Sequence, residues 1–292
     1  MAALDHLASL LLTAERESSS RSVTIDLFQR WEGPLGGASL APAWGENAAP
    51  IGRLVAEDGR ICWVMAKGND LTLSDVLAAD SQVPRATFER IYQSARAEGV
   101  PFCEKLATSD VIDVTQVRRA LRKQAAGCLA ALARLSCQEN LGLSIAGIPR
   151  ISYDDDFTFG ALEMLQATIQ NSPELEGALG RLPGTYARLA PKLQAGVCFR
   201  ENDASELPLT PISAWCRRDL GLGEALDLAS LALAATQPGD LVAAEISPFA
   251  LFARDSVCWV ASFDAPHLSL FQVDTHEQYL ALLASLIQDR RG

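Results

Sequence analysis

Two stretches of this chain are copies of one helical unit, and a tight hairpin leads into them. Leu77-Ala78, Val83, Phe88 and Ile91 recur as Leu106-Ala107, Ile112, Val117 and Ala120 at a constant offset of 29 residues. In each copy the apolar spacing predicts a short helix, a turn and a longer helix. Pro84 opens the long helix of the first copy, where a missing N–H costs nothing. Asp113 takes that place in the second, and Asp113-x-x-Gln116 resembles a capping box. Val117, Leu121, Cys128, Leu132 and Leu135 then give the second long helix one apolar face. Such a repeat suits either two stacked helical hairpins or a winged-helix-like bundle, and helical spacing alone can also coincide by chance. Upstream, Ile51 to Ala56 and Arg60 to Ala66 read as strands. Between them Asp58-Gly59 meets the need of a type I′ turn for positive φ at both central positions. Period-two alternation would put Ile61 with Trp63 on one face and Cys62 with Val64 on the other.

The rest of the chain reads as α+β. The expected organisation is two domains: a small N-terminal β unit with a repeated helical hairpin bundle over 1–140, and a C-terminal antiparallel sheet with packed helices over 160–292. Residues 141–159, with Gly142, Gly147, Pro149 and Asp154-Asp155-Asp156, read as a linker. The first segment, to about Trp31, reads as helical, and the Gly/Pro/Ala-rich stretch after it as strand-and-turn or loop. Residues 160 to about 193 are expected to be helical, broken at Pro173 and Pro183-Gly184. Strands follow near 196–199 and 207–215, the second suited to an edge by its prolines. Leu222 to Thr236 reads as a helix apolar on more than one side and hence buried. Short strands are expected at 241–246, 249–253, 257–263 and 268–273, with a turn at Arg254-Asp255-Ser256. A last helix is capped by Asp274-Thr275.

Composition narrows the function classes. A net charge of −11 disfavours nucleic acid as a general partner. No apolar run is long enough to span a bilayer, and Leu10-Leu11-Leu12 follows Asp5 without the basic leader of a signal peptide. The seven cysteines are scattered with no CxxC pair, which argues against zinc and a disulfide framework and for a reducing, cytoplasmic setting. His6, His267 and His276 sit in no catalytic motif. Gly33-Pro34-Leu35-Gly36-Gly37 and Gly221-Leu222-Gly223 lack the further residues of a phosphate loop. The aspartate triplet lacks calcium-loop spacing and reads as solvated. No catalytic, cofactor or metal residue is therefore nominated. The candidate docking residues are the basic strip Arg118, Arg119, Arg122 and Lys123, weighed against a solvated face with intrahelical pairs, and Trp44 in the loop before Pro50. The other tryptophans are expected in cores.

The hairpin Glu57-Asp58-Gly59-Arg60-Ile61-Cys62-Trp63-Val64-Met65-Ala66 and the repeat at Leu77 and Leu106 resemble PATAN-type domains of bacterial signalling proteins, over roughly 1–137. The C-terminal half resembles roadblock/dynein-light-chain-type domains by its order of elements, with Gly239 to Glu245, the strand pair and the terminal helix Tyr279 to Ile287. Asp274-Thr275-His276-Glu277 stands where that family has Asn-Leu-Gly. The doubled unit is also similar to the N-terminal domain of type II secretion and type IV pilus ATPases, some of which bind cyclic di-GMP. Their Arg-Leu-Gly openings are replaced here by Leu73-Ser74-Asp75 and Cys103-Glu104-Lys105; only Gln124 matches, so that ligand is not carried over. The resemblances imply a non-enzymatic cytoplasmic signalling adaptor that acts by protein–protein binding. Its partners would be a second copy of itself, as a homodimer, and a small Ras-like GTPase or a response-regulator-type protein. The competing reading is a nucleotide second-messenger sensor or an enzyme of another class.

Overall fold

The computed structural model describes residues 2–29, 49–69, 71–138, 141–179, 182–201, 208–216, 220–236, 249–254, 257–264 and 266–291. It is α+β, with two antiparallel sheets, and divides into two compact units. One comprises residues 10–173; the other comprises 174–292 together with 3–9 of the first helix. Trp44, the strand expected at 241–246, the Gly239 to Glu245 match and most of the loop before Pro50 lie outside the described residues.

The chain opens with helix α1 (Ala2–Glu17) and then strand β1 (Ser22–Gln29), so the helix expected to run to Trp31 ends early. Val23, Ile25 and Leu27 alternate as a half-buried strand does, and all three are buried. Strands β2 (Gly52–Glu57) and β3 (Arg60–Ala66) form the expected hairpin, with Asp58 at φ 50° and Gly59 at φ 77°. Its side-chain alternation is not the expected one. The β2–β3 register shifts by one residue at Val55/Ala56. Such a bulge interrupts the period of two, so Ile61 is buried while Trp63 is 40% exposed.

The repeat takes the form of helical hairpins. Helices α2 (Leu73–Asp80) and α3 (Arg85–Glu98) are matched by α4 (Phe102–Ala107) and α5 (Val114–Gln138), and both pairs of helix starts lie 29 residues apart. Each start has a local cause. Thr72 and Asp75 make a reciprocal capping box before α2. Pro84 and Pro101 precede α3 and α4. The Asp113 carboxylate accepts from the Thr115 N–H at 2.7 Å ahead of α5. Gly99, at φ 71°, ends α3 in a left-handed cap. The matched residues Leu77, Leu106, Phe88 and Val117 meet in one cluster with Val76, Cys103, Ile112, Ala120 and Phe157. Burying each large member stabilises the unit by about 1.5–3 kcal/mol.

The residues expected as a linker are structured. β4 (Leu141–Ile148) pairs with β1 along its whole length, and β5 (Phe159–Gly160) pairs with β3. The sheet order is β4-β1-β2-β3-β5. Helix α6 (Ala161–Gln170), expected in the C-terminal domain, packs on α5 and β3 and buries Ala161, Leu162, Met164, Leu165 and Ile169. The boundary between units therefore falls near 173. Glu57 is a buried carboxylate of this unit. Burial alone would raise its pKa. The Ser22 hydroxyl, the N–H groups of Ile151 and Ser152, and the Arg150 charge outweigh that and hold it below the usual range.

The second unit contains α7 (Pro173–Leu179), α8 (Gly184–Leu189), β6 (Ala195–Glu201), β7 (Leu209–Cys216), α9 (Leu222–Thr236), β8 (Phe249–Arg254), β9 (Val257–Asp264), β10 (His267–Val273) and α10 (His276–Arg291). Its sheet order is β7-β6-β10-β9-β8. β7 lies at an edge, as Pro211 requires. α9 matches its expected bounds but buries one face only: Leu222, Ala225, Leu228, Ala229 and Ala232 are buried while Leu231 is 50% exposed. The Thr275 hydroxyl caps α10 by accepting from the Gln278 N–H at 3.2 Å.

Candidate functional site

A cleft of about 790 Å³ opens in the N-terminal unit between β3 and the repeated helices. Local patterns place its lining. The bulged strand β3 presents Trp63 and Met65 outward. Arg85, Glu89 and Tyr92 recur at i, i+4 and i+7 along α3, and Leu121, Gln124 and Cys128 at i, i+3 and i+7 along α5, so each trio shares one helical face. The segment entering α2 adds Asn69, Leu71 and Thr72, and the start of α4 adds Phe102 and Cys103. Tyr153 and Phe157 complete the wall.

Among the described residues the surface is largely apolar and uncovered. Trp63 is 40% exposed, Met65 36%, Leu71 43% and Tyr92 45%. Tyr92 is held in place by Phe102, whose ring meets its own edge-on at 5.5 Å between centroids. Charge at the rim is internally balanced. Arg85 lies 2.8 Å from the Asp75 carboxylate and 2.9 Å from that of Glu89.

Three thiols line the cleft, and the structure keeps them neutral. Burial pushes Cys62 up to about 12, with Glu57 adding to it, and burial pushes Cys103 up to about 11. Cys128 is raised by the same cause, although the Asn69 amide donates to its sulfur at 3.0 Å. A protonated thiol is a poor nucleophile and a poor metal ligand. Burial likewise raises Tyr153 to about 12. Among the described residues no group of three or more His, Cys, Asp or Glu is arranged to hold a metal ion. The arrangement offers apolar contact area with a few hydrogen-bonding groups.

The basic strip lies elsewhere on α5 and is largely engaged within its own unit. One Arg118 nitrogen donates to the carbonyls of Asp155, Asp156 and Thr158 at 3.3, 2.8 and 3.0 Å. The other reaches Glu163 at 3.1 Å, and the guanidinium sits 4.7 Å from the centre of the Phe159 ring. Arg122 Nε is 3.6 Å from Glu163, and Lys123 is 3.0 Å from Asp80. Arg119 is exposed. The partners are thus not the intrahelical ones weighed from sequence; they come from α2, α6 and the segment before α6. That segment includes the aspartate triplet, whose Asp154 caps a short 3-10 turn by accepting from the Asp156 N–H at 2.9 Å.

No local pattern of residues announces the cleft. Trp63 was expected in a core, and Trp215, also expected there, is 42% exposed; only Trp259 is buried among the tryptophans whose side chains are described. The α3 spacing of Arg85, Glu89 and Tyr92 was a usable signal, but nothing local says which partners that face meets. Among the described residues no helix is long and apolar enough to cross a membrane. Comparison with protein-family models, with curated proteins and with solved structures returns no match.

Proposed function

We propose that this chain is a non-enzymatic, cytoplasmic signalling adaptor that works by binding protein partners at the cleft of its N-terminal unit. The observation that carries the reading is the set of Trp63, Met65, Leu71 and Tyr92, all more than a third exposed around one cavity. Aromatic and methionine side chains are the types enriched where proteins bind one another, and methionine adapts to irregular surfaces. The fitting occupant is an apolar face of a partner helix or loop. The three neutral thiols favour binding over nucleophilic chemistry. The doubled helical hairpin after the β2–β3 turn supports a PATAN-like reading of the first unit. Among the described residues, the C-terminal order of two helices, two strands, a helix, three strands and a helix supports a roadblock-like reading of the second. On that reading the partners are a second copy and a small Ras-like GTPase or a response-regulator-type protein. The free thiols of Cys62, Cys103, Cys128, Cys198 and Cys258 suit a reducing compartment.

The test is affinity capture from the native cell with the intact chain and with Trp63→Ala/Tyr92→Ala. A specific protein retained by the first and lost by the second is the expected result. Capture unaffected by the double substitution would overturn the cleft as the docking site.

One observation favours a second reading. A volume of about 790 Å³ with Asn69, Gln124 and Tyr153 in the lining also suits a small molecule, which would make the chain a nucleotide second-messenger sensor. Against a phosphate-bearing ligand, the one cation among the described lining residues, Arg85, is already paired with Asp75 and Glu89. A thermal-shift screen with nucleotides and cyclic dinucleotides separates the two, and a clear shift would favour the sensor.

A further inference from the structure

Strand β4 ends the sheet of the N-terminal unit, and among the described residues only β1 pairs with it. Its eight residues, Leu141-Gly142-Leu143-Ser144-Ile145-Ala146-Gly147-Ile148, include no charge and no proline. Edge strands are normally shortened, charged, bent or covered, because their free N–H and C=O groups template pairing with another chain. None of the usual sequence devices is present here, and residues 143–147 are all exposed.

The register adds a second observation. Leu143 lies opposite Leu27, and Ile145 opposite Ile25. Directly paired residues share a sheet face, and Leu27 and Ile25 are buried. Leu143 and Ile145 therefore continue the core-facing row, yet they are 44% and 40% exposed. Among the described residues, nothing covers this apolar margin or pairs with the hydrogen-bonding edge beside it.

We infer that a second copy of this chain adds at this edge, the two β4 strands pairing antiparallel about a two-fold axis midway between their Ser144 residues. An axis normal to the sheet keeps the core-facing row on the same side in both copies. Ser144 then faces its own counterpart, and Leu143 of each copy faces Ile145 of the other. The apolar pair forms twice, so the strand is complementary to itself. Electrostatics favours the same occupant. Two copies of a chain with net charge −11 repel over most of their surfaces, whereas this strand brings no charge of its own to the contact. One strand pair covers less than the ~800 Å² per partner of a standard interface, so the dimer dissociates on dilution. The inference refines the self-association part of the proposed function and does not involve the cleft.

Sedimentation velocity of the intact chain over a dilution series tests it. The expected mass is about twice 31.3 kDa at high concentration, falling to the monomer on dilution. Ile145→Lys, or Leu143→Lys if the first disturbs the fold, places a charge on the exposed margin and should give monomer throughout, with an unchanged circular-dichroism melt. Ser144→Cys should form a disulfide-linked dimer under mild oxidation that the unsubstituted chain does not, since facing residues across an antiparallel pair lie within disulfide reach. A chain that stays monomeric at every concentration would leave the edge to a foreign strand and overturn the proposal. So would a dimer that survives both lysine substitutions, or a Ser144→Cys chain that does not cross-link. Trp63→Ala should leave the mass unchanged, which keeps this test separate from that of the cleft.

Discussion

Replacing Arg118 by alanine separates a docking role from an internal one. Its side chain is 31% exposed, and its guanidinium ties α5 to the segment 155–163 through three backbone carbonyls, the Glu163 carboxylate and the Phe159 ring. Hydrogen bonds from a charged donor each contribute about 1.5–3 kcal/mol when buried, and water replaces part of that at a partly exposed site. Two of the contacts are long, at 3.3 Å to the Asp155 carbonyl and 3.1 Å to Glu163. Discounting for both leaves a net cost of about 2–3 kcal/mol rather than the sum of the contacts. For a unit of this size that lowers Tm by roughly 5–10 °C. Arg119→Ala, a neighbouring exposed cation, should shift Tm by less than about 1 °C. Calorimetry of the intact chain reads the melting temperatures. Hydrogen exchange reads whether amides of 155–163 lose protection in Arg118→Ala alone. Equal melting temperatures for the two variants, with unchanged exchange over 155–163, would refute the internal role and return the strip to docking.

Three further outcomes follow from the same packing. Because the Glu57 pKa is lowered in the folded chain, its contribution is present above the ordinary carboxylate pKa and is lost as pH falls through the folded value. Glu57→Gln should therefore flatten the acid limb of a urea-midpoint-against-pH plot, and an unchanged limb would contradict the assignment. Cys62 and Cys103, raised by burial to about 12 and about 11, contribute stability that is full below the ordinary thiol pKa and declines as pH rises towards those values. Cys62→Ala should weaken that alkaline decline, and at pH 8 the exposed Cys258 should be alkylated well before Cys62, Cys103 or Cys128. A Cβ at Gly52 would collide with Leu132 Cδ2, so Gly52→Ala should cost about 1–3 kcal/mol by overpacking. Adding Leu132→Ala should give a double variant more stable than the two single costs predict. Strict additivity in denaturant midpoints would show that the clash is not the cause.

Some of this molecule could be read residue by residue. The Asp58-Gly59 turn, the caps at Asp113 and Thr275, and the 29-residue helical offset depend on residues within a few positions of one another. Local backbone preference and helical period suffice to announce them. The bounds of α9 were legible for the same reason, whereas its half-exposed Leu231 was not, since what lies against each side of a helix is not a local property. β1 lies in a segment that reads as helix despite the alternation of Val23, Ile25 and Leu27, and β4 in one that reads as linker because Gly142 and Gly147 mimic loop composition. β4 gains its ladder hydrogen bonds from β1, more than a hundred positions away in the chain, and β1 gains its own from β4 and β2.

The candidate site shows the same division. The chain's own order of residues determined the helices of the repeat and the spacing that gathers Arg85, Glu89 and Tyr92 on one face of α3, while their pairing as hairpins rather than a winged-helix-like bundle came with the fold. Only folding decided that this face, the bulged β3 and α5 would surround one cavity. Only folding turned Trp63 outward, and only folding engaged Arg118 with Glu163, 45 residues away. Helix and turn formation are settled by neighbours along the backbone, within the reach of a hydrogen-bonded turn. Burial, ion pairing and a shifted pKa depend on what arrives through space, and that is set when the core closes.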